Sequence, residues 1–286
     1  AHERSRQMTE KEGTFSGPGG LSIYFRYWIP NEQPKALILV VHGAGEHCSR
    51  YQHFAQFMVN NGYVVAALDH PGHGKSDGTP GFVESFDDYL DALALLHKRV
   101  TQEFPSLPQI LLGHSMGGLI SSCYLLEHQG EFAGCVLSGP AIKTELEPGF
   151  VQTWLIRLLS KFAPKAGVLA LDPAGVSRDP KEVEAYVNDP LVHHGKMSAR
   201  KVSELFRSMQ HVQENVAKIE LPMLLLHGSE DAMTSPEGSR FLHEHISSAN
   251  KTLKIYPGLY HEIFNEPERE EVFADVLGWC NQRVGA

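Results

Sequence analysis

Gly113-His114-Ser115-Met116-Gly117 sets a serine between two glycines, directly after the apolar run QILLG and directly before a stretch with helical spacing. That is G-x-S-x-G in the strand, turn and helix context that lifts a serine hydroxyl above the end of a sheet. The turn forces the serine backbone into a strained conformation, and Gly113, Gly117 and Gly118 give it room. The alternative, a serine that merely caps the following helix, needs none of that context.

A serine hydroxyl attacks a carbonyl only when a base takes its proton and an acid orients the base. Where the serine lies in such a turn, acid and then histidine follow it in the chain, each in a loop after a late strand. LLLHGSEDAMTS offers Asp231, with Glu230 beside it as a rival, and IYPGLYHEIFNEP offers His261, with Glu262 beside it. Among 16 histidines, position singles out His261, which should titrate as an ordinary histidine, at roughly 6 to 7. His114 adjoins Ser115, but consecutive side chains diverge at a tight turn, so a structural role is expected. Acyl transfer also needs N–H donors for the oxyanion. Met116 supplies one, and Ala44 in HGAGEH, flanked by Gly43 and Gly45, supplies the other. A metal site built from His42, His47, His70 and His73 is disfavoured, since these lie in separate Gly-rich turns without paired-ligand spacing. Neither a metal nor a cofactor is expected.

These residues need a scaffold. Apolar runs at 21–30, 36–43, 63–69, 109–113, 134–139, 222–228 and 252–258 read as strands, several of them apolar enough to be buried on both faces. Helical spacing fills 50–62, 85–105, where a serine cap and acidic first turn open the segment, and 116–129. The alternation implies an α/β protein with a mostly parallel central sheet flanked by helices. Between 141 and about 215 it gives way to two helical stretches with Pro and Gly breaks, an expected helical cap over the carboxyl edge of the strands. The core is then 8–140 and 216–286, with the cap at 141–215.

Composition excludes other classes. The 286 residues carry a net charge of −9 with no Lys/Arg block, so nucleic acid is not an expected partner. Four separated cysteines suggest neither zinc nor a disulfide framework, and favour a reducing compartment. The polar stretch before and after Met8, the expected native start, lacks the apolar region of a signal peptide. The expected location is the cytoplasm.

With these residues in view, the chain resembles the monoacylglycerol lipase family of the α/β-hydrolase superfamily over nearly its whole length. HGAGEHCSRY, LDHPGHGKSDG, GHSMGG, SRDPKEVEAYVNDPLVHHG, LHGSEDAMTSPEGS and YPGLYHEIFNEP follow the family's segments in the family's order. The resemblance implies an α/β-hydrolase fold, the triad Ser115, Asp231 and His261, with Asp231 preferred over Glu230, and oxyanion donors Ala44 and Met116. It also implies that Glu46, Arg50 and Tyr186 bind the glycerol end of a monoacylglycerol. Phe264 and His193 stand where mammalian members have a second histidine and a cap cysteine, which affects the headgroup contacts and leaves the catalytic reading alone. The implied reaction cleaves monoacylglycerols to glycerol and fatty acid through an acyl-enzyme. Lysophospholipids or small esters are the alternative substrates, and a non-enzymatic lipid-binding protein is the alternative of another class.

In EPGFVQTWLIRLLSKFAPKAGVLALDP (147–173), Phe150, Val151, Trp154, Leu155, Leu158, Leu159 and Phe162 recur at helical spacing. Such a stripe ordinarily packs against the rest of the protein. Here it is also expected to line an acyl tunnel and, around Trp154 and Leu158, to rest weakly on a membrane surface. Only Arg157, Lys161 and Lys165 flank it, so apolar area rather than anionic lipid should drive that contact.

Overall fold

The computed structural model describes residues 8–143 and 149–285. In chain order these form β1 (Met8–Ser16), β2 (Ser22–Pro30), β3 (Ala36–Val41), α1 (Gln52–Asn60), β4 (Tyr63–Leu68), α2 (Asp87–Glu103), β5 (Gln109–His114), α3 (Met116–His128) and β6 (Gly134–Ser138). There follow α4 (Phe150–Phe162), β7 (Gly167–Leu169), α5 (Pro180–Asn188), β8 (Met197–Ser198), α6 (Ala199–Asn215), β9 (Met223–Gly228), α7 (Pro236–His245), β10 (Lys251–Tyr256) and α8 (Arg269–Val284).

The main sheet has the order β1-β2-β4-β3-β5-β6-β9-β10. Only β1 and β2 run antiparallel to their neighbours, and the other pairs are parallel. Every residue of β3, β4, β5, β6 and β9 is buried, as a parallel sheet covered on both faces requires. Period-two alternation divides the core. Leu37, Leu39 and Val41 of β3 face one cluster with Leu93, Leu119 and Ile120, while Ile38 and Val40 face the other with Phe54, Met58 and Phe273. The chain therefore has the α/β-hydrolase architecture, and the carboxyl ends of β3, β5, β9 and β10 converge on one edge.

The strand expectations hold to within a residue or two. Edge strand β1 was not foreseen, because MTEKEGTFS is polar and mostly exposed. Helix α2 opens with Asp87 and Asp88 at the positive end, as expected, but its N-cap is Phe86 rather than a serine; Ser85 Oγ, one residue earlier, accepts the Asp87 N–H (3.2 Å).

Among the described residues, the segment after β6 holds three α-helices rather than two, with a short antiparallel β7–β8 pair. Helix α4 covers only part of the expected 147–173. Residues 147 and 148 lie outside the described residues, and the chain leaves helical geometry at Ala163, before Pro164. This insertion has little core of its own: α6 sends Val202, Leu205, Met209 and Val212 into the same cluster as α2 and α3. Among the described residues, no helix is long and apolar enough to cross a membrane.

Candidate active site

Ser115 has φ 56° and ψ −119°, a region that costs a non-glycine residue about 1–3 kcal/mol and persists only when its surroundings enforce it. They do. The Ser115 N–H donates to Ser138 O (3.0 Å), and Ser115 O accepts from the N–H groups of Gly118, Leu119 and Ala141. The glycines are sterically required: a Cβ at Gly117 would lie 1.9 Å from Val41 O, and one at Gly113 would lie 2.3 Å from Gly117 O.

Ser115 Oγ–H donates to His261 Nε2 at 2.9 Å, and His261 Nδ1–H donates to Asp231 Oδ2 at 2.7 Å. His261 hangs in the loop after β10. Its N–H donates to Gly175 O (3.4 Å) and that of Glu262 to Val176 O (2.9 Å), so the insertion straps the loop from above. Asp231, after β9, is 2 % exposed. Its Oδ1 accepts the N–H groups of Met233 and Thr234 (both 2.9 Å), and His227 Nε2 stands 3.2 Å from its Oδ2. Glu230 is exposed, and the carboxylate hydrogen-bonded to His261 Nδ1 is that of Asp231.

Burial disfavours charge on both partners, yet each charge is held by the other. Burial pushes His261 down, but the Asp231 charge and hydrogen bond outweigh it and leave the imidazole above its ordinary 6.5. This differs from the ordinary titration expected from sequence, which cannot register so close a carboxylate. Burial pushes Asp231 up, and the His261 charge with hydrogen bonds from His227 and His261 holds it far below the usual carboxylate range.

The loop after β3 passes beside the serine. A Cβ on Gly43 would meet Ser115 Cβ at 3.1 Å, and Gly45 has φ +78°, so both glycines are needed to bring Ala44 against Ser115. Ala44 lines the cavity at Ser115 with Glu46, Tyr186, Leu171, Val176 and Met233. Met116 follows the serine at the start of α3, where N–H groups lack intrahelical partners.

Glu46 is buried, and its Oε2 accepts the Gly43 N–H (2.8 Å) and the Tyr51 hydroxyl (2.8 Å). Arg50 donates to Glu46 Oε1 (2.7 Å) and, through two nitrogens, to Glu262 (2.9 and 2.7 Å). Tyr186 lies over this guanidinium, 4.9 Å from ring centroid to Cζ. Three residues that the resemblance assigned to glycerol are thus brought together. Glu46 and Tyr186 reach the cavity, while Arg50 stands behind it as a buried tie between two carboxylates.

Sequence reading missed His227 and Thr234, which contact Asp231. It placed Glu262 beside His261, but not as the second carboxylate on Arg50. His114, expected to be structural, packs its ring 4.7 Å from that of His261 and lines the same cavity. The histidines of the Gly-rich turns are also less separate than expected. Because β3 and β4 are neighbours, the His42 and His70 rings lie 4.0 Å apart, tilted by 48°, with His73 5.2 Å from His42. Most of their nitrogens are engaged: His42 Nδ1–H donates to Gly43 O and Nε2 accepts the His70 N–H, while His70 Nε2–H donates to His42 O and His73 Nδ1–H to Pro71 O; His70 Nδ1 is buried without a partner. No group able to hold a metal occurs among the described residues. The four cysteines are free and buried.

All seven stripe residues of α4 are exposed, from Leu158 at 39 % to Phe150 at 88 %. The expectation that the stripe packs against the protein is therefore not met, because α4 touches α6 by its opposite side, through Ile156 and Ser160.

The family profile described as serine aminopeptidase, S33, matches residues 32–268. The chain is 40% identical to a monoacylglycerol lipase of Mycolicibacterium smegmatis, over 95% of this chain and 97% of that protein. It is 35% identical to the monoglyceride lipase of Rattus norvegicus, over 93% and 88% respectively. Among solved structures, the monoacylglycerol lipase of Paleococcus ferrophilus superposes with a TM-score of 0.79 at 31% identity, covering 96% of this chain and 100% of that one.

Proposed function

From the premise that this chain belongs to the monoacylglycerol lipase family of α/β-hydrolases, we propose that it cleaves monoacylglycerols to glycerol and fatty acid, with Ser115, His261 and Asp231 as its triad. The chain is a serine hydrolase of carboxylic esters. The observation that carries the assignment of roles is the hydrogen-bonded series from Ser115 Oγ through His261 to Asp231, at 2.9 and 2.7 Å, on a serine held at positive φ.

In this reading His261 takes the serine proton as Oγ attacks the ester carbonyl. The N–H groups of Ala44 and Met116 receive the oxyanion, and His261 returns the proton to the departing glycerol oxygen. Water then repeats the sequence on the acyl-enzyme. Asp231 stays ionised and holds the imidazole in the Nδ1–H tautomer. Glu46 and Tyr186 meet the glycerol hydroxyls, and Arg50 fixes Glu46 and Glu262 beneath them.

Residues 141–215 act as a cap on the core formed by 8–140 and 216–286. The cavity at Ser115 is only about 20 Å³, room for little more than a water molecule, and a shift of the cap would widen it for a lipid. The exposed stripe of α4 supports weak peripheral contact with a membrane, from which substrate would be drawn. The test is turnover of 1-oleoylglycerol, 1-oleoyl-lysophosphatidylcholine and p-nitrophenyl butyrate with products identified by mass. The acylglycerol should give the highest kcat/KM; a clear preference for the short ester would overturn the lipase reading.

A further inference from the structure

Lys201 is a lysine in an unfavourable place. It sits in the first turn of α6, at the positive end of the helix, and is 1 % exposed. It takes part in no ion pair among the described residues. Among the described residues its ammonium has one hydrogen bond, to His73 Nε2 at 3.4 Å, an acceptor whose ring carries its proton on Nδ1, donated to Pro71 O. Burial alone pushes the ammonium down from 10.5 to about 7, with no opposing charge to hold it up. Buried cations are ordinarily paired, so the site is short of an anion.

Lys201 lines a cavity of about 60 Å³ with Gly45, His193, Gly195 and Tyr186. This is room for roughly four waters, and so for a group of four or five heavy atoms. Ala44, Leu171 and Tyr186 line both this cavity and the one at Ser115, so the two adjoin on the side of Tyr186, where the headgroup is placed. His193, whose Nε2 is buried without a partner, stands in its wall.

We propose that the Lys201 cavity is a subsite for a phosphate monoester carried on the glycerol of the substrate, so that the chain also hydrolyses acylglycerol phosphates. The inference rests on the reading of Ser115 as the nucleophile. The chemistry is unchanged: the Ser115 Oγ–acyl bond forms as the acyl–oxygen bond to the glycerol breaks, and His261 passes the serine proton to the leaving oxygen. Water then releases the fatty acid. Glycerol phosphate leaves with its phosphate ester intact.

The test compares kcat/KM for 1-oleoylglycerol 3-phosphate and 1-oleoylglycerol in uncharged detergent micelles, for wild type and Lys201→Met. Methionine keeps much of the volume and removes the charge. Wild type should act on both lipids, and the variant should lower the phosphate-to-neutral ratio by about tenfold or more, as loss of a charge-assisted contact implies. An unchanged ratio, or wild type that turns over 1-oleoylglycerol alone, overturns the subsite and leaves the lipase reading standing. Wild type inert on both lipids overturns both. Should the variant not fold, inhibition of wild-type p-nitrophenyl butyrate hydrolysis decides. Glycerol 3-phosphate should inhibit at least about tenfold more strongly than glycerol, and equal inhibition overturns the proposal. Inorganic phosphate inhibiting as strongly as glycerol 3-phosphate would show an anion site unconnected with the headgroup, and would overturn it equally.

Discussion

Helices α3 and α4 are both thirteen residues long and both apolar, yet α3 buries ten of its residues and α4 only Ser160. The first carries Ser115 at its N-terminus and is clamped between sheet, α2 and α6. The second presents Phe150, Trp154 and Phe162 outward, at 88, 55 and 73 % exposure. The contrast shows two uses of apolar surface in one chain. Around α3 it holds a strained serine within a hydrogen bond of His261; on α4 it is left exposed. Burial is concentrated around Ser115, and exposed apolar surface on α4.

The contrast breaks most visibly if the buried side tolerates change. Asp231→Asn should lower kcat by about 10⁴-fold, because an amide neither fixes the tautomer nor balances the imidazolium. Glu230→Gln, an exposed neighbour, should stay within a fewfold of wild type. If Glu230→Gln is the more damaging, the acid has been misassigned. Gly117→Ala should next destabilise the fold by about 3 kcal/mol or prevent folding, since the new Cβ would lie 1.9 Å from Val41 O; denaturant melts read this directly.

A subtler sharpening comes from pH. His261 is active when neutral and its pKa is raised, so kcat/KM should fall as pH drops through a value above 6.5. In Asp231→Asn the raising partner is gone, so the residual activity should hold to lower pH. An acid limb that does not move would deny the coupling. The smallest effect belongs to α4. Leu158→Glu should change stability by no more than about 0.5 kcal/mol, as exposed sites do, while weakening binding to phosphatidylcholine vesicles. Unfolding of that variant would mean the face is core after all.

The same contrast explains what the sequence made legible. Ser115, His261 and Asp231 could be found because the motif context and the chain order constrain each of them, and the architecture followed from strands buried on both faces. The stripe on α4 was legible as a periodicity, but a periodicity defines a face and not what covers it. Polar β1 carried no strand pattern because an edge strand need bury little. The His42, His70 and His73 cluster depends on β3 lying beside β4, a pairing between segments distant in the chain. Lys201 was invisible for the same reason: one cation among 25 declares itself only when burial and the absence of a counter-ion can be seen.

The central claim is that Ser115 carries the acyl group. Wild type and Ser115→Ala would be mixed with 1-oleoylglycerol, acid-quenched during turnover, digested and analysed by mass spectrometry. The account predicts an oleoyl adduct on the peptide containing Ser115 in wild type, with neither adduct nor turnover above background in a folded Ser115→Ala. Sustained turnover by the variant, or an adduct on any other residue, would contradict it.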